Sequence, residues 1–244
     1  AAAPQSERLF WLRGRLIAEN LRSCGIDSNC APLGDIAQAG THAVLKNRCY
    51  GSALSAVVTH ARALHQGLRH GGVSSVLKHI PGHGRATLDS HLDLPRVSED
   101  RSRLERHDFE AFRQLNRIEM GMTAHLVFED IDPNHPATQS AAMIDIIRKD
   151  IGFAGLLMTD DISMEALSGP LDLRGQKALA AGCDIVLHCN GQMDQMQLLA
   201  ESTEELAGPS QMRVAQVLAQ RPDVQPVDIQ QVKAEFDALL GEFR

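Results

Sequence analysis

The sequence predicts an α/β fold on a buried parallel sheet, of the (β/α)8 barrel type. Three observations carry this. About five short segments are apolar at consecutive positions, as strands covered on both faces are. Each is followed by a stretch with helical periodicity. Polar residues gather where the apolar segments end, at Asp35, His79, His125, Asp160 and Asn190. Such folds carry their chemistry at the carboxyl ends of the strands. A doubly wound sheet fits the same periodicity. Five strands also fall short of the eight of a closed barrel.

Residues 6–23 read as a helix, because Leu9, Leu12, Leu16, Ile17 and Leu21 return at helical spacing and Gly25 follows. Residues 26–36 read as a strand ending near Pro32, which has no N–H to donate. A second helix spans 52–69 and a strand 73–79. Residues 99–117 form an amphipathic helix with Leu104, Phe109, Phe112 and Leu115 on one side. Residues 120–128 are a strand with a polar tip, and 139–150 are helical. The run Gly155-Leu156-Leu157-Met158-Thr159-Asp160-Asp161 is a strand ending in two carboxylates. A helix near 172–181 precedes a last strand over 183–190. From 192 the chain is mostly helical, with breaks at Gly208-Pro209 and between Pro222 and Pro226. The barrel domain is thus expected over 1–207, with 208–244 as its helical extension.

Composition narrows the function. Aromatic residues are 4% of the 244, so the core is aliphatic, and a net charge of −7 argues against a nucleic-acid surface. No apolar run is long enough to span a membrane. The first residues, Ala1 to Arg8, lack the order of a signal peptide, and the chain starts at Ala1 rather than Met. Five cysteines without a CxxC read as reduced, buried thiols of a cytoplasmic protein. No phosphate-cradling glycine loop is present.

The chemistry concentrates in Lys78–His91, which holds three imidazoles, an ammonium and a carboxylate in 14 residues. Pro81, Gly82 and Gly84 stop any regular element there. Asp89 and His91 form an i,i+2 pair in which a carboxylate orients an imidazole and raises its pKa. Asp160 and Asp161 end a strand. Successive strand residues point to opposite faces, so only one of them should face a pocket while the other caps the next helix. Lys78 and Arg48 are either ligand-hydroxyl donors or ordinary solvated cations. A rival reading takes His79, His83, Asp89 and His91 as a metal site of a hydrolase, although Pro81-Gly82 rules out a helical i,i+4 pair.

Lys78–Pro95, read as KHIPGHGRATLDSHLDLP, resembles the signature of glycoside hydrolase family 3 β-N-acetylglucosaminidases, the bacterial cytoplasmic cell-wall-recycling type in particular. The likeness continues through Asn47–Gly51, Met122–His125, Pro136–Thr138, Gly155–Met164 and Ala181–Asp184, in order, over about residues 6–206. It implies a (β/α)8 barrel and a retaining mechanism without metal or organic cofactor. Asp160 would be the nucleophile, and His91, oriented by Asp89, the acid/base. Lys78, His79 and Arg48 would hold sugar hydroxyls. The implied substrate is a terminal N-acetylglucosamine β-linked to 1,6-anhydro-N-acetylmuramic acid, with or without peptide. Family members begin with further strands and an Asp-Gln-Glu-Gly-Gly-Arg-like motif that grips the sugar, which nothing here matches. The chain is then expected to be a fragment, to be completed by another chain, or to be a non-catalytic remnant, and to associate through open barrel edges.

Overall fold

The apolar segments do assemble into one parallel sheet. The computed structural model describes residues 3–90 and 92–242. Helix α1 (Ala3–Ser23) leads to β1 (Ser28–Asn29), the single-turn α2 (Ala43–Lys46), α3 (Leu54–His70) and β2 (Ser74–Ile80). There follow β3 (Arg96–Val97), α4 (Arg101–Arg106), α5 (Asp108–Leu115), β4 (Met120–Thr123) and β5 (Val127–Phe128). A 3₁₀ turn (Ala137–Gln139), α6 (Ala141–Lys149), β6 (Leu156–Asp161), α7 (Leu171–Ala181) and β7 (Ile185–Leu187) come next. The chain continues through α8 (Met193–Ser202), α9 (Gly208–Ala219) and α10 (Ile229–Gly241).

Five strands pair in the order β1-β2-β4-β6-β7, all parallel, while β3 and β5 form a separate parallel pair. Met120 pairs with Leu156 and Met122 with Met158, so β4 and β6 run in continuous register. This is a curled half-barrel, incomplete as the sequence predicts, with β1 and β7 as its edges among the described residues.

Each face of the sheet carries its own core. Leu77, Ile80 and Leu157 point outward into the layer built with Phe109, Phe112 and Phe153. Val76, Met120, Met122, Leu156 and Met158 form the inner layer, against which Val214 and Val217 of α9 lean. Burial of such aliphatic side chains, roughly 1.5–3 kcal/mol each, is what holds a sheet with so few aromatics. On the outside, α1 and α3 cross where a Cβ on Gly67 would lie 2.2 Å from the Trp11 carbonyl oxygen, so only glycine fits.

Several expectations need correction. The strand expected over 26–36 is reduced to β1, plus a single bridge from Leu33 to Lys78. Pro32 sits between the two and cannot donate to a ladder. The helix expected over 99–117 is interrupted at His107 (φ −126°, ψ −71°) and gives α4 and α5. The strand expected over 120–128 also divides. Val127 donates its N–H to Pro95 O (2.9 Å) and leaves the main sheet to pair with β3, which the sequence pattern does not reveal. The cysteines are free, but only Cys183 is buried; Cys24, Cys30 and Cys189 are exposed because they lie in turns rather than strand interiors.

The C-terminal stretch is anchored at α9, at α10 and, between them, where the Gln225 N–H donates to His70 O (2.9 Å) and Arg15 donates to Gln225 O (2.8 Å). Pro209 occupies the first turn of α9, where a missing N–H costs nothing. The Asp184 carboxylate, buried beside β7, accepts from Ser210 Oγ, Arg213 and Arg148 (2.7 Å each) and from the Leu157 N–H (2.8 Å). Farther on, α10 lies along α1, with Arg8 forked onto Glu235 at 2.7 Å and Gln5 donating to Glu242 at 3.0 Å. No helix among the described residues is long and apolar enough to cross a membrane.

Candidate active site

Strand alternation builds the floor of the site. Along β6 the period of two puts Asp160 on the side of Leu156 and Met158, above the inner apolar layer. Along β2 it puts Lys78 above Val76. The loop after β2 then packs closely on the chain that follows Pro32. A Cβ on Gly84 would fall 2.0 Å from Ile36 O, so glycine is required there. Arg85 anchors the loop by donating to Asp108 (2.8 Å) and Glu99 (2.6 Å).

A cavity of about 210 Å³ opens at these strand ends. Arg48, Lys78, His79, His83, Asp89 and Asp160 all line it, so one pocket gathers the predicted residues that are described. His91 lies outside the described residues. Arg48 is exposed in the turn after α2, its N–H donating to Leu45 O (2.9 Å), and not in a loop directly following a strand. Asp89 is half-buried, and its neighbour Ser90 is 3.2 Å from His83 Nε2.

The two carboxylates at the end of β6 both reach the cavity, contrary to the expectation that only one could. The register with β7 shifts between Met158 and Asp161, so strict alternation ends there. Their partners nevertheless differ. Asp161 closes the following turn, accepting from Ser163 N–H (3.1 Å), Ser163 Oγ (2.8 Å) and Cys189 N–H (3.2 Å). Asp160 accepts from the Asp161 N–H (2.8 Å) and lies 3.8 Å from His79 Nε2. Burial pushes the Asp160 carboxyl upward, but His79, His125, that N–H and Lys78 together hold it below the usual carboxylate range. It is therefore ionised at neutral pH. Burial in turn holds the Lys78 ammonium below its ordinary value.

Two residues outside the predicted set complete the surroundings. Asp35, fully buried, accepts from His79 Nδ1 (2.7 Å) and from the His83 N–H (2.7 Å). His125, also fully buried, contacts Thr138 Oγ1 (2.7 Å) and Asp161 O (3.1 Å). A carbonyl only accepts, so His125 carries its proton on Nε2. Burial keeps its pKa low. Both residues were visible in sequence as polar ends of apolar segments, but their partners are far away along the chain. Among the described residues, no group of three His, Cys, Asp or Glu side chains is arranged to hold a metal ion.

The N-terminal domain of glycosyl hydrolase family 3 matches residues 2–220. The chain belongs to glycosyl hydrolase family 3. Among family 3 relatives, a β-hexosaminidase of Alkalilimnicola ehrlichii is 42% identical over 191 residues, covering 76% of this chain and 54% of the relative. One from Neisseria meningitidis serogroup C is 37% identical over 207 residues, covering 83% and 56%. The chain thus spans about half the length of these curated family 3 relatives. NagZ from Neisseria gonorrhoeae, solved with N-trifluoroacetyl-D-glucosamine, superposes with TM-score 0.80 at 33% identity, over 96% of this chain and 70% of that one. A family 3 β-N-acetylglucosaminidase from Paenibacillus sp. gives TM-score 0.85 at 26% identity, over 96% and 49%.

One residue lining the cavity carries a pH signature. Burial, with His79 adding to it, pushes the His83 imidazole from 6.5 down to about 4. The unfolded chain takes up this proton between those values and the folded chain does not. Stability from this group is therefore complete above pH 6.5, falls as pH drops toward 4, and loses about 3 kcal/mol in all. Urea midpoints at pH 7 and pH 4.5 should show the loss, and His83→Gln should flatten it. An unchanged slope in His83→Gln would assign the loss to other groups.

Proposed function

We propose that this chain carries the reacting groups of a retaining β-N-acetylglucosaminidase. One observation supports this best: an ionised, nearly buried Asp160 sits at an inner strand end, in the same cavity as Lys78, His79 and Arg48. Asp160 attacks the anomeric carbon as the glycosidic bond breaks, and the leaving oxygen takes a proton from His91. Water then attacks the glycosyl-enzyme, His91 takes its proton back, and the Asp160 carboxylate is released. Asp89 orients His91, while Lys78, His79 and Arg48 hold the sugar hydroxyls.

The substrate in this reading is N-acetylglucosamine β-linked to 1,6-anhydro-N-acetylmuramic acid, with or without peptide, released during cytoplasmic peptidoglycan recycling. The β-hexosaminidase names of the relatives and the N-acylglucosamine bound by a solved neighbour support it. Hydrolysis of a chromogenic β-N-acetylglucosaminide is the direct test. Failure of the chain to hydrolyse it, alone or with the family's preceding barrel strands supplied in trans, would refute the proposal.

The role of His91 has its own signature. His91→Ala should slow substrates with poor leaving groups on the order of 10²–10⁴-fold, and activated aryl glycosides far less in their first step. The glycosyl-enzyme should then accumulate on Asp160 and be seen as a mass increase. Equal slowing of both substrate classes, with no trapped intermediate, would remove His91 from proton transfer.

A further inference from the structure

We propose that Asp35 is a positioning residue of this site, acting through His79: its carboxylate fixes the imidazole so that Nε2 faces Asp160. For turnover, the proposal rests on Asp160 being the nucleophile; for geometry it does not. Asp35 is fully buried and does not line the cavity, so it has no direct contact with a ligand there. Its recorded hydrogen bonds all go to two residues of the loop end. His79 N–H lies 3.3 Å from both oxygens, His79 Nδ1 2.7 Å from Oδ2, and His83 N–H 2.7 Å from Oδ1.

A buried carboxylate is expensive unless its partners require the charge. Two backbone N–H groups do not require it, since the neutral oxygen of an amide accepts as well. The imidazole does. Asp35 stays ionised: burial opposes this, but His79 and His83 outweigh it. An ionised carboxylate only accepts, so the proton between Asp35 and His79 sits on Nδ1. That leaves Nε2 turned toward Asp160 Oδ2 at 3.8 Å. Asp35 thus stands to His79 as an orienting carboxylate stands to a working imidazole. The ionisable groups around this line are Lys78, His79 and His83 from β2 and its loop, His125 after β4, Asp161 on β6, Cys30 after β1, Arg48, Cys49 and Tyr50 from the segment after α2, and Cys189 after β7.

Carboxyl ¹³C and imidazole ¹⁵N spectra of the full 244-residue chain test this without requiring turnover. In the unaltered protein at neutral pH, His79 should show its proton on Nδ1; a neutral ring protonated only on Nε2 overturns the proposal with no variant needed. Asp35→Asn keeps an acceptor for the backbone N–H groups but releases the ring. The Asp160 titration should then move upward by about 1 pH unit. His79→Gln should move it the same way, and the double variant no further than His79→Gln alone. A role of Asp35 as a mere distant charge predicts the opposite sign, because removing one negative charge makes another carboxylate easier to ionise. A downward shift, or additive effects in the double variant, would overturn the proposal. With a turned-over substrate, Asp35→Asn should lower kcat about 10–100-fold, and add little in a His79→Gln background. If the Asp35–His79–Asp160 coupling appears in the spectra while Asp160→Ala still turns over, the glycosidase reading fails and the positioning role stands.

Discussion

Asp160→Ala is expected to remove turnover on the order of 10⁴-fold or more, in any form of the protein that hydrolyses an aryl N-acetylglucosaminide. The substitution deletes the atom proposed to form the glycosyl-enzyme bond, and an activated leaving group cannot compensate for an absent nucleophile. The fold should survive. The recorded hydrogen bond of the Asp160 side chain is to its neighbour's N–H, at 2.8 Å, and the inner apolar layer lies below it. Circular dichroism and the thermal midpoint should therefore stay close to those of the parent. Asp161→Asn should be the milder change, because an amide still accepts from Ser163 or Cys189 and keeps the turn. If Asp161→Asn abolishes turnover and Asp160→Ala only slows it, the wrong carboxylate has been assigned.

The largest stability effect is expected at Asp184. Its side chain is 1% exposed and joins β6, α6 and α9 through Leu157 N–H, Arg148, Ser210 and Arg213. Those partners hold its carboxyl below the ordinary range against burial. Asp184→Ala leaves a largely buried guanidinium without its counter-charge and frees the start of α9. Breaking a buried pair in this way costs about 3–5 kcal/mol. Arg148 still donates to Phe153 O (3.0 Å) and Gly155 O (2.7 Å), which places the loss toward the lower end. Thermal unfolding should register a drop of roughly 6–12 °C. A change below about 1 kcal/mol would mean that the network is a surface ornament rather than the joint between sheet and C-terminal helices.

What was legible in the sequence was whatever local periodicity encodes. The apolar run Leu156–Met158 ending in two carboxylates marks β6, and the Gly/Pro break after Ile80 marks the loop that lines the cavity. Period two also sets Asp160 above the inner layer. Long-range register was not legible. Asp35 meets His79 because Leu33 bridges to Lys78 and the Gly34 N–H reaches Lys78 O at 2.7 Å, an approach between segments 44 residues apart. The β3–β5 pair is two residues per strand, too short for alternation to register. Exposure of Cys30 and Cys189 likewise depends on where turns begin, which single apolar residues do not decide.

The clasp between the first and last helices implies an order of opening. In α10 the buried residue is Val232 alone, and the ion pair holding it to α1 is between side chains 44% and 38% exposed. Such a pair contributes about 0–1 kcal/mol and weakens as ionic strength rises, whereas the two apolar layers of the sheet are indifferent to salt. The molecule therefore has two grades of cohesion. Its terminal helix is held by one buried side chain, Val232, and a screenable ion pair, its sheet by two apolar layers, so a rise in ionic strength weakens the clasp by at most about 1 kcal/mol and leaves the strand ends where the site is built untouched.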